Sequence, residues 1–341
     1  MKRLVLIMRN SARVLFLLVL ISTLVAGCRE SDDSSPYAAL LTQPPYSKLT
    51  DSIHKNSSDP DLFYRRGMLL LKNNENPPAL ADFQKAWSLN KKEMYAVNIS
   101  TILSETKADS AVSFLNEALT ILPESIPLHI SLIQAYADAQ KTDAALAICD
   151  SVLRHHHGHI GVLMMKSDLL DQKNDTIGSI KTLEQAYEVA PANEDLCYNL
   201  AFKYAQNKNQ KVLSLCDSLL RNDTINKKAE PFYFKGVYYS NINQKTTALD
   251  LFNKAIQNDY SFLDAYMDKG KILFDLKKYA DASNVFQLAL KISATYADAY
   301  FWLGKCQEVM GQKENAKLNY QRAYGLDKSL TEAKEAAEKI E

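Results

Sequence analysis

Apolar residues along this chain recur at spacings of three and four. They fall in segments separated by short polar turns such as Leu276-Lys277-Lys278-Tyr279 and Met310-Gly311-Gln312-Lys313. Such spacing keeps the apolar positions on one face of a helix, so the pattern predicts helices joined in pairs. The pairs repeat. One column carries Gly67, Ile99, Ile133, Ser167, Ala201, Gly236, Gly270 and Gly304, in steps of 32, 34, 34, 34, 35, 34 and 34 residues. A second carries Ala79, Ala111, Ala145, Ser179, Val212, Ala248, Ala282 and Ala316. Four positions later stand Phe83, Leu115, Cys149, Leu183, Cys216, Phe252, Phe286 and Tyr320, followed after three more by Ala86, Ala118, Val152, Ala186, Leu219, Ala255, Ala289 and Ala323. Small residues let the two helices of a pair approach, and the larger residue a turn away fills the space beside them. A single pair cannot bury its apolar face, so neighbouring pairs must stack.

These columns identify a family. The unit running from Tyr300-Phe301-Trp302-Leu303-Gly304 through Gly311, Ala316, Tyr320 and Ala323 resembles a tetratricopeptide repeat nearly throughout. The unit around Leu132, Ala135, Tyr136, Ala145 and Leu146 is almost as close. The resemblance covers about four-fifths of the chain and implies an all-α fold, a right-handed superhelical solenoid of about eight helix-turn-helix units over residues 60–328. Departures are the closing proline, present only at Pro123 and Pro191, and a fifth unit irregular from Ser214 to Lys228. Its insertion Asn222-Asp223-Thr224-Ile225-Asn226 is where a bend in the array is expected. At the C-terminal end, Ser329-Leu330-Thr331-Glu332 reads as a capping box opening a last helix over 329–341, with Leu330, Ala333, Ala337 and Ile340 on one side. At the front, Tyr46, Leu49 and Ile53 predict a single capping helix over 45–59, set off by Gln43-Pro44-Pro45.

The first residues follow another pattern. Residues 14–26, VLFLLVLISTLVA, come after a basic stretch and before Gly27-Cys28. The run is shorter than the roughly 20 apolar residues that span a bilayer and has the layout of a signal peptide over 1–27. Val25-Ala26-Gly27-Cys28 resembles a bacterial lipobox, which implies a diacylglyceryl group on the thiol of Cys28, palmitate on the mature N-terminus and anchoring at the outer membrane. Met1 and Met8 both open well-proportioned signals. Residues 28–44 begin Arg29-Glu30-Ser31-Asp32-Asp33 and read as a flexible polar tether. Arg29 is not the aspartate that retains some lipoproteins at the inner membrane. The acids behind it are similar to an export signal of Bacteroidota surface lipoproteins, and they also suit a solvated spacer, so the periplasmic and surface faces both stay open.

Composition narrows the function. The chain is 47% hydrophobic with 10 Gly and 10 Pro, which suits a large helical core rather than a loop-rich β fold. Lys plus Arg and Asp plus Glu number 40 each, and without the four basic residues of the signal the balance is 36 to 40. An acidic surplus argues against nucleic acid, whose phosphates need a basic surface. There is no P-loop, dinucleotide fingerprint, nucleophile elbow or zincin helix, so neither catalysis nor a cofactor is expected. The run His155-His156-His157-Gly158-His159 sits in a turn between repeats, without the carboxylate or cysteine of a known zinc spacing. A metal-dependent activity on these histidines is the lesser alternative. Cys149, Cys197, Cys216 and Cys306 fall in helices, where buried free thiols are expected. A Cys197–Cys216 disulfide is the competing reading.

Partner binding is the leading expectation. In the family the first helices of the pairs line a concave face, and the column three residues before the glycine column projects into it. Here that column includes Tyr64, Met164, Tyr198, Tyr233, Met267 and Phe301, and one turn further on stand Met68, Phe202, Lys271 and Lys305. These ten are the candidate groove residues. Aromatic and Met side chains repeated along a groove suit extended or helical peptides with apolar anchors. The family's carboxylate clamp, built of Lys and Asn in these columns, is not matched. The expected role is a membrane-anchored scaffold or adaptor for proteins of envelope assembly or secretion. A surface lipoprotein that stacks glycans on its aromatics is the alternative.

Overall fold

A computed structural model describes residues 36–221 and 228–340. The signal segment, Cys28, the acidic run and the insertion at 222–226 lie outside the described residues. Nineteen α-helices and no strand are formed among the described residues, so the fold is all-α. Two short helices open the chain, α1 (Ala38–Leu41) and α2 (Ser47–Lys55). Eight hairpins follow: α3 (Pro60–Lys72) with α4 (Asn76–Leu89), α5 (Glu93–Thr106) with α6 (Ala108–Ile121), α7 (Ile126–Asp138) with α8 (Thr142–His155), α9 (Ile160–Gln172) with α10 (Thr176–Val189), α11 (Glu194–Gln206) with α12 (Lys211–Arg221), α13 (Glu230–Asn241) with α14 (Lys245–Asn258), α15 (Leu263–Asp275) with α16 (Tyr279–Ile292), and α17 (Ala297–Val309) with α18 (Lys313–Leu326). A last helix, α19 (Thr331–Lys339), packs on α18. The chain divides into two compact units, Met1–Ile148 and Cys149–Glu341, each with its own core.

Size complementarity builds each hairpin. A Cβ added to Gly67, Gly236, Gly270 or Gly304 would come within 2.5–2.8 Å of a ring atom of Phe83, Phe252, Phe286 or Tyr320 respectively. Glycine and a large ring therefore go together. Where the first column is larger, the second is smaller, as with Ile99 and Leu115 or Ala201 and Cys216, all fully buried. Ser167 and Ser179 are the polar members of the two small-residue columns, and their buried hydroxyls bond each other at 2.8 Å. Each polar group thereby satisfies the other, as burial demands.

The turns inside the hairpins share one geometry. Asn74, Gln140, Asn174, Lys208, Asn243, Lys277 and Gly311 all have φ between 56° and 76°. The next backbone N–H in each case donates to the carbonyl five residues back, for example Glu75 to Leu70 at 3.0 Å and Gln312 to Gln307 at 2.8 Å. This left-handed closure satisfies carbonyls at the helix end. In the second hairpin a single residue, Lys107 at φ −154°, joins α5 to α6. The step of 32 instead of 34 lies before this turn, between Ala79 and Ile99, where three residues (90–92) join α4 to α5 and four (122–125) join α6 to α7.

The two ends differ from the sequence-based expectation. The tether expected over 28–44 is folded from Tyr37 onward: Leu41 and Tyr46 are buried, and α1 lies inside the expected tether. A buried ion pair holds this front cap. Arg66 donates through Nε and Nη2 to both carboxylate oxygens of Asp82 at 2.7 Å, and through Nη1 to the Thr50 hydroxyl at 3.0 Å. Thr50 in turn donates to the Leu41 carbonyl at 2.7 Å. Four helices are thus joined by one satisfied network. At the other end the expected capping box does not form. Leu330 occupies the N-cap position of α19, the Ser329 N–H donates to Asp327, and Glu332 pairs with Lys305 at 3.4 Å. Asp327 reaches the Ser329 N–H first, so the serine closes a local turn instead. Ala333, Ala337 and Ile340 are nevertheless buried against α18.

Candidate partner-binding face

The first helix of each hairpin carries two kinds of residue on its candidate face. One kind packs against its neighbours, and the other stands above them. In the first unit Tyr64 is half-buried between Phe83 and Tyr95, with ring centroids 5.8 and 5.3 Å away, and Met68 is 40% exposed. The remaining eight candidates lie in the second unit. Three of these belong to the core: Tyr233, Met267 and Phe301 are only 9%, 3% and 7% exposed. Tyr233 packs on Phe234, Phe252 and Phe262 and donates its hydroxyl to Asp268 at 3.0 Å. Burial, the Asp268 charge and that bond all push its phenol well above the ordinary range. Phe301 packs on Trp302 and Tyr320. These three serve the hairpin stack.

Tyr198 and Phe202 behave differently. Both project from α11 over the edge of Phe234 on α13, at centroid distances of 6.2 and 5.8 Å. Tyr198 donates its hydroxyl to Glu194 at 2.8 Å, which fixes its ring, and Phe202 remains 37% exposed. Met164 on α9 is half-buried against the same core. The result is a rigid aromatic ledge with a buried foundation, the form in which a ring anchors a partner at low entropic cost. Phe234 completes the ledge and follows the Tyr233 column by one residue. The YF doublet of Tyr233-Phe234 was its one sequence signal.

Charge flanks the ledge on both sides. On α9, burial raises the Asp168 carboxyl, and the Lys203 charge works against that rise. Lys203 pairs with Asp171, and burial lowers its ammonium. On α15, burial and then the nearby Asp268 raise Asp264, while Lys271 pairs with Asp268 at 3.5 Å. Lys271 and Lys305 both lie over Trp302, at 6.0 and 4.8 Å, and Lys305 also over Phe301 at 5.0 Å. Trp302, like Phe234, follows its column residue by one.

The histidine run holds a helix start. His159 is the N-cap of α9 and accepts from the Val162 N–H through Nδ1 at 3.3 Å, while His155, His156 and His157 are exposed. Among the described residues no group of three His, Cys, Asp or Glu side chains is placed to hold a metal ion. Cys149, Cys197, Cys216 and Cys306 are buried and free, with no Cys197–Cys216 disulfide. Burial pushes the thiols of Cys149, Cys216 and Cys306 up to about 12. No helix among the described residues is long and apolar enough to cross a membrane.

Comparison with known proteins agrees with this architecture. Family models described as TPR repeat and tetratricopeptide repeat match residues 270–311, 103–169 and 297–330. The chain is 38% identical over 66 residues to Uncharacterized protein MJ0572 of Methanocaldococcus jannaschii, covering 77% of that protein and 19% of this chain. The chain belongs to the tetratricopeptide-repeat family. This tetratricopeptide array is also 28% identical over 121 residues, 35% of its length, to Protein O-mannosyl-transferase TMTC3 of Homo sapiens. It is 31% identical over 94 residues, 27% of its length, to Heat shock protein STI1 of Saccharomyces cerevisiae. It spans 13% and 16% of those two proteins. In fold it is similar to a tetratricopeptide repeat protein from Parabacteroides merdae, with a TM-score of 0.51 and 14% identity, covering 83% of this chain and 98% of that one.

Proposed function

We propose that this tetratricopeptide array is a lipid-anchored scaffold of the cell envelope, and that it holds partner proteins by short segments with apolar or aromatic anchors. The carrying observation is the ledge of Tyr198 and Phe202 on Phe234. Its rings are positioned by buried packing before any partner arrives, so little ordering entropy is lost on binding. Acids at Asp168 and Asp264 and lysines at 271 and 305 supply flanking polar contacts that set register. The lipid supplies localisation. Val25-Ala26-Gly27-Cys28 supports acylation of Cys28 and residence at the outer membrane.

The buried state of Tyr233 shapes the test, because its replacement would open the core. Tyr198→Ala with Phe202→Ala removes the ledge and leaves Phe234 in place. Two anchoring rings at about 1–2 kcal/mol each predict a loss of partner affinity of about 30-fold or more, with helical content unchanged. Unchanged affinity would place binding elsewhere. Cys28→Ala is expected to abolish palmitate incorporation and release the protein from the membrane fraction, and retention in that fraction would refute the anchor.

A further inference from the structure

The last helical pair carries a feature that partner binding on the ledge does not use. A cleft of about 430 Å³ lies on α18 and α19, and Lys317, Lys328 and Lys334 line it together with Tyr324 and Gly325. The Lys328 and Lys334 ammonium groups sit 4.3 and 5.9 Å from the centroid of the Tyr324 ring. Lys317 donates to the Ile340 carbonyl at 2.9 Å. Among the described residues the only acid lining the cleft is Glu338, 3.9 Å from Lys334. Among the described residues no carboxylate forms an ion pair with Lys317 or Lys328. Charge of one sign is thus gathered in one concavity and only partly compensated.

Gly325 gives an independent sign. It is the penultimate residue of α18. Every other described glycine meets a neighbouring side chain with the Cβ it lacks or, at Gly311, has positive φ. Gly325 alone has neither, and a Cβ there would meet nothing within 4 Å. What its missing side chain leaves open is the cleft itself.

We propose that this cleft binds a phosphate group. Three lysines on separate stems bring point charges to one cleft, which suits a compact multivalent oxyanion. A planar carboxylate is better served by the fork of an arginine, and none lines the cleft. The phosphate can belong to a soluble ester or to a phospholipid headgroup.

The test uses the purified chain, with inorganic phosphate in isothermal titration calorimetry and vesicles of phosphatidylglycerol or phosphatidylcholine in co-sedimentation. Saturable heat with phosphate supports the site as one for a soluble group. More pelleting with phosphatidylglycerol than with phosphatidylcholine, into which a lipid anchor inserts alike, supports the headgroup. Lys328→Ala with Lys334→Ala is expected to weaken whichever binding is seen by about tenfold. Gly325→Leu is expected to abolish it by filling the cleft, with a melting temperature at or above that of the parent. Absence of both signals, or binding that persists unchanged in either variant, overturns the proposal.

Discussion

Gly270 meets its hairpin partner more closely than any side chain would allow, and substituting it isolates the rule that builds the array. In Gly270→Ala the new methyl would lie 2.5 Å from both Cε1 and Cζ of Phe286. Phe286 is fully buried, and the indole of Trp302 stacks on its ring at 6.1 Å and 25°. The ring therefore cannot retreat without moving the next hairpin. Overpacking of this kind costs about 1–3 kcal/mol, and the gain in helix propensity returns at most about 1 kcal/mol. A net loss of about 1–2 kcal/mol is expected. Trp302 is one of only two tryptophans, so Trp87→Phe leaves it as the sole reporter beside the perturbed site. Urea unfolding followed by its fluorescence reads the local stability. Phe286→Leu alone costs burial, but in the Gly270→Ala background it makes room. The double variant should be at least about 1 kcal/mol more stable than the two single effects predict. Gly270→Ala that stabilises by about 1 kcal/mol, as at an uncrowded helix position, would refute the size-complementarity argument.

Asp82→Asn removes the carboxylate charge from a buried ion pair, so a loss of about 3–5 kcal/mol is expected in denaturant unfolding, whereas Arg66→Met with Asp82→Leu should be far milder. Cys149, Cys197, Cys216 and Cys306 should resist alkylation at pH 8 until the chain is unfolded; rapid labelling of the native protein would contradict their burial. The three thiols pushed up to about 12 have an ordinary value of 9.0, so the unfolded chain loses their protons first. Their contribution to stability is intact below pH 9 and is lost as pH rises from 9 towards 12. Gly311→Ala, at φ +76° with no neighbour within 4 Å, should cost about 1 kcal/mol through backbone strain alone, measurable as a lower melting temperature.

The architecture was legible because its cause is local and periodic. Gly270 and Phe286, or Gly304 and Tyr320, must complement each other inside one hairpin, and that necessity repeats as columns. The step of 32 was visible too, and the short connection from α4 to α5 at 90–92 contributes to it. Site residues were less legible, since exposure on a first helix depends on what the next hairpin places beside it. Tyr198 and Tyr233 share a column, yet one stands on the ledge while the other fills the core between Phe252 and Phe262. Phe234 and Trp302 sit one residue off the column, so its periodicity does not mark them. The Arg66 network had no sequence signal, because its partners lie 16 residues away in both directions. At the C-terminal end, the capping-box motif was present in letters, but Asp327 took the Ser329 N–H.

The central claim is that the Tyr198–Phe202 ledge of α11 holds a partner, and site-specific photocrosslinking in native membranes tests it most directly. A photoreactive phenylalanine analogue at position 202 should give a discrete protein adduct that weakens when Tyr198 becomes Ala. The same analogue at Leu288, an exposed residue on the second helix of its hairpin, should give none. No adduct at 202, or the same adducts from both positions, would contradict the account.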